Sequence, residues 1–283
     1  MKLPSKPMQS LHDFMPSIFN AKRHSLRLLA AAGLATALPS AGAQSRAARV
    51  RVLAASDLKF ALARVVAPFE LQTGIKIELN FGSSGNFARQ ILQGLPADIF
   101  MSADEDWAFK VADAGLTLGG PADRGVVYAQ GRLALIVPRA SPITLDVELK
   151  GLQNQWANLR PRKFAIANPE LAPYGRAAQQ SLQKLGLWGM LQPQLVIGEN
   201  IAQATQFVTT GAAQAGITAL SLATAPEVAK DSQYIALPEQ LHAPLNQRMV
   251  LLKNASAQAQ QLARYLQTKI AKDLLKSTGF GTK

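Results

Sequence analysis

Between residues 49 and 103 the hydrophobic period of this 283-residue chain switches back and forth, and each switch narrows the folds open to it. Arg49–Ala55 (RVRVLAA) is a β-branched and apolar run, read as a strand. After Ser56-Asp57, the residues Leu58, Leu62, Val65 and Phe69 share a helical face that Gly74 closes. Ile75, Ile77 and Leu79 alternate as a second strand, and Phe87, Ile91 and Leu92 fall at helical spacing. Residues 97–103 (ADIFMSA) read as a third, buried strand. A β-α-β-α-β order calls for a mostly parallel sheet covered by helices, because parallel neighbours need a long crossover.

A second region repeats the arrangement. Val126-Val127-Tyr128 and 133–137 are strand-like around Gln130-Gly131 and mark a crossing into it. Residues 163–167 read as a strand, after which Pro169 and Pro173 delay the next helix until about Arg176. Leu195-Val196-Ile197 is a strand, Gly198-Glu199-Asn200 opens a helix carrying Ala204, Phe207 and Val208, and 215–220 returns as a strand. The mixed stretch 230–241 brings the chain back, and 248–253 (RMVLLK) is a further strand. Leu262, Leu266, Ile270 and Leu274 lie on one side of a final helix. The expected fold is α/β, with two lobes joined by more than one crossing.

The first 43 residues differ from the rest. Lys22, Arg23 and Arg27 precede the short apolar run 28–38, and Ala41-Gly42-Ala43 follows as a small-residue cleavage site. These are the parts of a secretory signal peptide, with Met8 or Met15 as alternative starts and an uncleaved anchor as the competing reading. Beyond Ala43 the chain carries 25 basic and 17 acidic residues, a scattered excess of +8 that suits an anionic ligand. No basic cluster interleaved with aromatics marks a nucleic-acid module, so no nucleic acid is expected. Without cysteine there is no disulfide or thiolate site, and His242 stands alone, which excludes a histidine-rich zinc centre. Asp104-Glu105-Asp106 read either as a helix start or as a hard-metal site.

Function points to the strand-to-helix turns. Gly82-Ser83-Ser84-Gly85-Asn86 sits where a helix presents unpaired N–H groups, and serves either as a cap by Ser84 or Asn86 or as an anion cradle. Ser56-Asp57, Pro173-Tyr174-Gly175 and Glu199-Asn200-Ile201 are three similar junctions. Parallel α/β sheets bind ligands outside the carboxyl ends of their strands, so two facing lobes would bring these turns to one cleft around a small oxyanion.

The chain resembles the periplasmic molybdate-binding proteins of ABC importers, within the type II binding-protein architecture. The resemblance rests on AASDL at 54–58, FGSSGNFARQI at 81–91, LPADIFMSAD at 95–104, NPELAPYG at 168–175 and GENIAQATQFVTTGAAQAGI at 198–217. It implies a two-lobed type II periplasmic binding fold with a ligand cleft between mixed-sheet lobes. Residues 44–128 and 226–283 would form lobe 1, and 129–225 lobe 2, after a signal peptide spanning 1–43. It further implies a non-enzymatic monomer in the periplasm, without cofactor, that binds molybdate or tungstate and delivers it to a permease driven by a cytoplasmic ATPase.

Residue by residue, the resemblance puts the metal oxyanion on Ser56, Asp57, Ser84, Tyr174 and Ile201, with Ser83 and Asn86 as secondary candidates. Ser56 and Ser84 are expected to donate through hydroxyl and amide. Tyr174 is expected to donate through its amide with its hydroxyl as an addition, and Ile201 through its amide alone. Asp57 is the departure: a carboxylate facing a divalent oxyanion would be repelled, so its side chain is expected to turn away and cap the following helix while its amide donates. If it faces the cleft instead, a protonated or less charged ligand comes into consideration. Arg89 and Arg124 are either long-range attractors or solvated arginines. The competing functions are a receptor for sulfate, phosphate or a small organic anion, a phosphoryl-handling enzyme, and the sensory domain of a regulator. No Walker A motif, nucleophile elbow or helix-turn-helix supports the last two.

Overall fold

The computed structural model describes residues 49–281. The signal-peptide reading of 1–43 lies outside the described residues. In the first lobe the chain runs β1 (Arg49–Ala55), a 3-10 turn (Ser56–Leu58), α1 (Lys59–Thr73), β2 (Lys76–Gly82), α2 (Ser84–Leu92), β3 (Ile99–Ser102), α3 (Glu105–Asp113) and β4 (Val126–Gly131). The second lobe follows with β5 (Leu133–Pro138), α4 (Lys150–Trp156), β6 (Phe164–Ala167), α5 (Pro173–Lys184), α6 (Trp188–Leu191), β7 (Leu195–Gly198), α7 (Ile201–Thr209), β8 (Ala215–Ala219), α8 (Leu220–Ala223), α9 (Pro226–Ala229) and β9 (Ser232–Ala236). The chain then returns to the first lobe as β10 (Leu245–Leu251), α10 (Ala257–Leu266) and α11 (Lys269–Ser277).

Each lobe is built on a five-stranded mixed sheet, ordered β2-β1-β3-β10-β4 in one and β7-β6-β8-β5-β9 in the other. The parallel pairs are β1 with β2 and β3, and β6 with β7 and β8. β10 is antiparallel to β3 and β4, and β5 is antiparallel to β8 and β9. Both faces are covered, so the central strands read as continuous apolar runs: β3 and β6 are buried throughout. Val50, Val52, Leu58, Leu62, Val65 and Phe69 pack the first-lobe core, and Leu135, Leu152, Trp156, Phe164, Ile166 and Leu182 the second.

Several boundaries differ from the sequence reading for identifiable reasons. α5 begins at Pro173 rather than Arg176, because proline at a first helical position lacks an N–H that would be unpaired anyway. The final helix is two helices. Thr268 interrupts the apolar stripe as the cap of α11, its side chain accepting from the Ala271 amide, and Ile270 is left exposed. By strand pairing the chain crosses between sheets at Arg132 and again between Ala236 and Leu245. Residues 226–236, expected in lobe 1, therefore include β9, which pairs with β5 of the second sheet.

Candidate anion-binding site

The carboxyl ends of the parallel strands meet at the cleft. β1 ends at Ser56-Asp57 and β2 at Ser83-Ser84; the loop after β6 brings Pro173-Tyr174, and the turn after β7 brings Asn200-Ile201. Ser56, Asp57, Ser83, Ser84, Tyr174 and Ile201 all line one small cavity, together with backbone at Gly82 and Ala103. Its volume is ≈ 10 Å³. That is room for about one water-sized group, so a tetrahedral anion needs the walls of this closed arrangement to part slightly. A larger open groove past Lys59, Phe60, Phe81 and Gln206 shares Ser56 and Asn200 with the cavity.

The donors are arranged by what each hydroxyl already accepts. The Ser84 hydroxyl, buried at the start of α2, accepts the Ala103 amide at 3.0 Å. The Ser56 hydroxyl accepts the Ala202 amide from the opposite lobe at 3.3 Å. A hydroxyl has one proton and two lone pairs, so each of these serines keeps its O–H to give. Ser83 is different: its O–H is spent on the Leu171 carbonyl across the cleft at 2.6 Å. Asn86 lies outside the cavity lining, where its side chain donates to Glu199 of the other lobe at 2.7 Å. Neither Ser84 nor Asn86 caps α2. Ser83 holds the cap position without a side-chain cap bond, which leaves the helix start with unpaired N–H groups. Among the described residues, the amides of Ser84, Tyr174 and Ile201 have no protein acceptor.

Asp57 keeps local amide contacts at Asp57 and Leu58 and also joins a network between the lobes. The 3-10 turn it belongs to has no side-chain cap, and its carboxyl is buried, 1 % exposed. The Tyr174 hydroxyl donates to Asp57 Oδ2 at 3.0 Å and Gln247 Nε2 donates to the same oxygen at 2.5 Å. Tyr128 in turn donates to Gln247 Oε1 at 2.7 Å, and Ser221 donates to the Asp57 carbonyl at 2.9 Å. The Tyr174 hydroxyl, expected as an extra ligand donor, is thus engaged with Asp57. Oδ1 of Asp57 is buried without a well-aligned partner, and the amides of Asp57 and Leu58 also favour the carboxylate. Burial pushes the Asp57 carboxyl up to about 6, the bonds from Gln247 and Tyr174 offsetting only part of the lost hydration. Burial also pushes the Tyr174 and Tyr128 phenols well above their ordinary range, so both stay neutral donors.

Gln247 and Tyr128 were not legible as site residues; their only sequence signal is a polar side chain inside an apolar strand. The cluster 104–106 resolves into separate structural tasks. Asp104 caps α3 through the Trp107 amide, Glu105 pairs with Arg248, and Asp106 pairs with Arg176. Arg124 pairs with Asp113 at 2.6 Å and lies over the Phe109 ring. At the cleft mouth Arg176 reaches Asp104 and Asp106 at 3.0 and 2.7 Å, while the Gly85 amide donates to Leu171 O at 2.9 Å. The lobes are therefore in contact across the cleft, in a closed arrangement.

Two mixed sheets joined by two crossings, with main-chain donors and hydroxyls collected between them, define a solute-binding protein of the two-lobed type II architecture. The model of the bacterial extracellular solute-binding proteins matches residues 50–281. The molybdate-binding protein ModA of Azotobacter vinelandii is 36 % identical over 247 residues, covering 84 % of this chain and 91 % of that protein. The ModA protein of Rhodobacter capsulatus is 35 % identical over 218 residues, covering 76 % and 81 %. Among solved structures, the periplasmic molybdate-binding protein of Azotobacter vinelandii superposes with a TM-score of 0.73 at 30 % identity, covering 83 % of this chain and 99 % of that one. The chain belongs to the bacterial extracellular solute-binding proteins, in their molybdate-binding ModA branch.

Proposed function

We propose that this protein binds molybdate or tungstate outside the cytoplasm and delivers it to an ABC-type permease with a cytoplasmic ATPase. It is a binding protein, not an enzyme, like the relatives it matches. The observation that carries the ligand reading is the single small cavity on which Ser56, Ser84, Tyr174 and Ile201 converge from both lobes. Two hydroxyls that each accept one amide and keep their O–H, with three amides without acceptors, give a donor-rich wall suited to an oxyanion. Size is the second filter. A smaller tetrahedral anion such as sulfate would leave some of these donors stretched, and hydrogen bonds weaken steeply beyond good geometry. Closure of the lobes over the anion creates a surface that a permease can read. The leader 1–43 supports secretion to the periplasm, and a monomer suffices because one chain supplies every group in the cavity wall.

The buried Asp57 carboxyl on that wall favours one other reading, a receptor for an oxyanion that brings its own proton, such as hydrogen phosphate. Calorimetric titration with molybdate, tungstate, sulfate and phosphate separates the two. Molybdate and tungstate are expected to give saturable heat, with sulfate and phosphate far weaker. Tight phosphate or sulfate binding without molybdate heat would refute the assignment.

A further inference from the structure

We infer that the site takes up one proton from solvent together with its oxyanion, and that the Asp57 carboxyl receives it and then donates to the ligand. The inference rests on the oxyanion reading above and adds a proton to its stoichiometry. Asp57 lines the cavity and is 1 % exposed. Its Oδ2 accepts two hydrogen bonds, from Tyr174 and Gln247, whereas Oδ1 is buried with no well-aligned donor, only the local amides of Asp57 and Leu58 lying near the carboxyl. A buried carboxylate oxygen without a well-aligned donor costs free energy, and a dianion in the adjoining cavity adds direct repulsion. Protonation removes both penalties. The carboxyl becomes neutral, and its O–H joins a wall on which the other polar groups already donate.

The surroundings offer no alternative neutralisation. The titratable groups facing Asp57 are the Tyr174 phenol of α5 and, across Gln247 of β10, the Tyr128 phenol of β4. Both phenols are held neutral by burial. α7 and α8, which also pack against this turn, carry no charged residue. Lys59 of α1 is exposed, Arg248 of β10 pairs with Glu105, and Arg176 of α5 pairs with Asp104 and Asp106. Burial, net of the hydrogen bonds that oppose it, raises the carboxyl to about 6, so the proton is within easy reach near neutrality and an adjacent anion draws it on further.

The test is calorimetry of the mature protein with sodium molybdate in two buffers of different ionisation enthalpy. The wild type is expected to take up one proton per anion, with affinity falling about tenfold per pH unit between about pH 6.5 and 8.5. Asp57→Asn, which places an amide donor there, is expected to abolish both the uptake and the slope. Molybdate heat without proton uptake would overturn this inference and leave the proposed function standing. The wild-type proton count decides this even if the variant does not fold. Proton uptake that survives in Asp57→Asn would overturn the assignment to Asp57. No heat with molybdate or tungstate at any pH would overturn the proposed function, and this inference with it.

Discussion

Replacing Ile201 with proline removes one main-chain donor and leaves the helix that carries it in place. Ile201 is the first helical residue of α7, where the missing proline N–H breaks no intrahelical bond and the fixed φ suits the turn. The preceding residue must be extended, and Asn200 is, at φ −145° and ψ 174°. Asn200 also keeps its cap, accepting the Gln203 amide at 3.1 Å. The Ile201 side chain is buried, so any truncation lowers stability; Ile201→Ala provides the reference because it loses the side chain and retains the N–H. A hydrogen bond to a charged acceptor contributes about 1.5–3 kcal/mol. Ile201→Pro should therefore bind molybdate about 10- to 150-fold more weakly than Ile201→Ala, read as a ratio of calorimetric Kd values well below the melting temperature of either. Equal affinity of the two variants would remove the Ile201 amide from the ligand's partners and refute the donor geometry on which the site is built.

Ser84→Ala should weaken binding by a similar factor and also cost about 1–3 kcal/mol of stability, because the buried Ala103 amide loses its acceptor. Paired calorimetry and thermal melts check both parts. For the ligand-free protein, the Asp57 carboxyl is raised above its unfolded value of 3.8 to about 6, so its contribution to stability is present at low pH and is lost as pH rises through about 6. Asp57→Asn should then be more stable than wild type at about pH 8, by up to about 3 kcal/mol, with the advantage gone near pH 4. Melts at the two pH values decide it, and an equal advantage at both would contradict the linkage. Arg176→Gln breaks the ion pairs at the cleft mouth, which are partly exposed, and should cost under about 1 kcal/mol of stability while speeding molybdate release in stopped-flow experiments. That acceleration should shrink as salt is added to the wild type.

The turns were legible because they are local. A strand followed by small or polar residues and a helix can be read within ten residues, and parallel topology sends all such turns to one edge. It mattered little that Ile201 has no polar side chain, since the donor proposed there is its amide. The surroundings of Asp57 were illegible for the opposite reason. Gln247 lies 190 residues from Asp57 and Tyr174 lies 117, and no local pattern announces contacts at such separations. The capping role expected of Asp57 used sequence neighbours alone; the Asp57 and Leu58 amides do favour its carboxylate, and Tyr174 and Gln247 add a donor pair from two distant elements. Two adjacent helices that share an apolar side read as one long helix when threonine marks the break, as at Thr268, because a capping residue is also tolerated on a solvated face. β9 escaped notice because three of its five residues are polar or aromatic and its pattern is mixed.

The Leu171 carbonyl accepts from both the Ser83 hydroxyl and the Gly85 amide. Two bonds that end on one atom break in the same displacement, so this lip of the cleft comes apart in a single step instead of peeling. The Gly85 amide, held by nothing else, is freed each time that step occurs. Its exchange with deuterated solvent counts cleft openings directly, and comparing that rate with the dissociation rate of the bound anion tells how many openings pass for each ion that escapes.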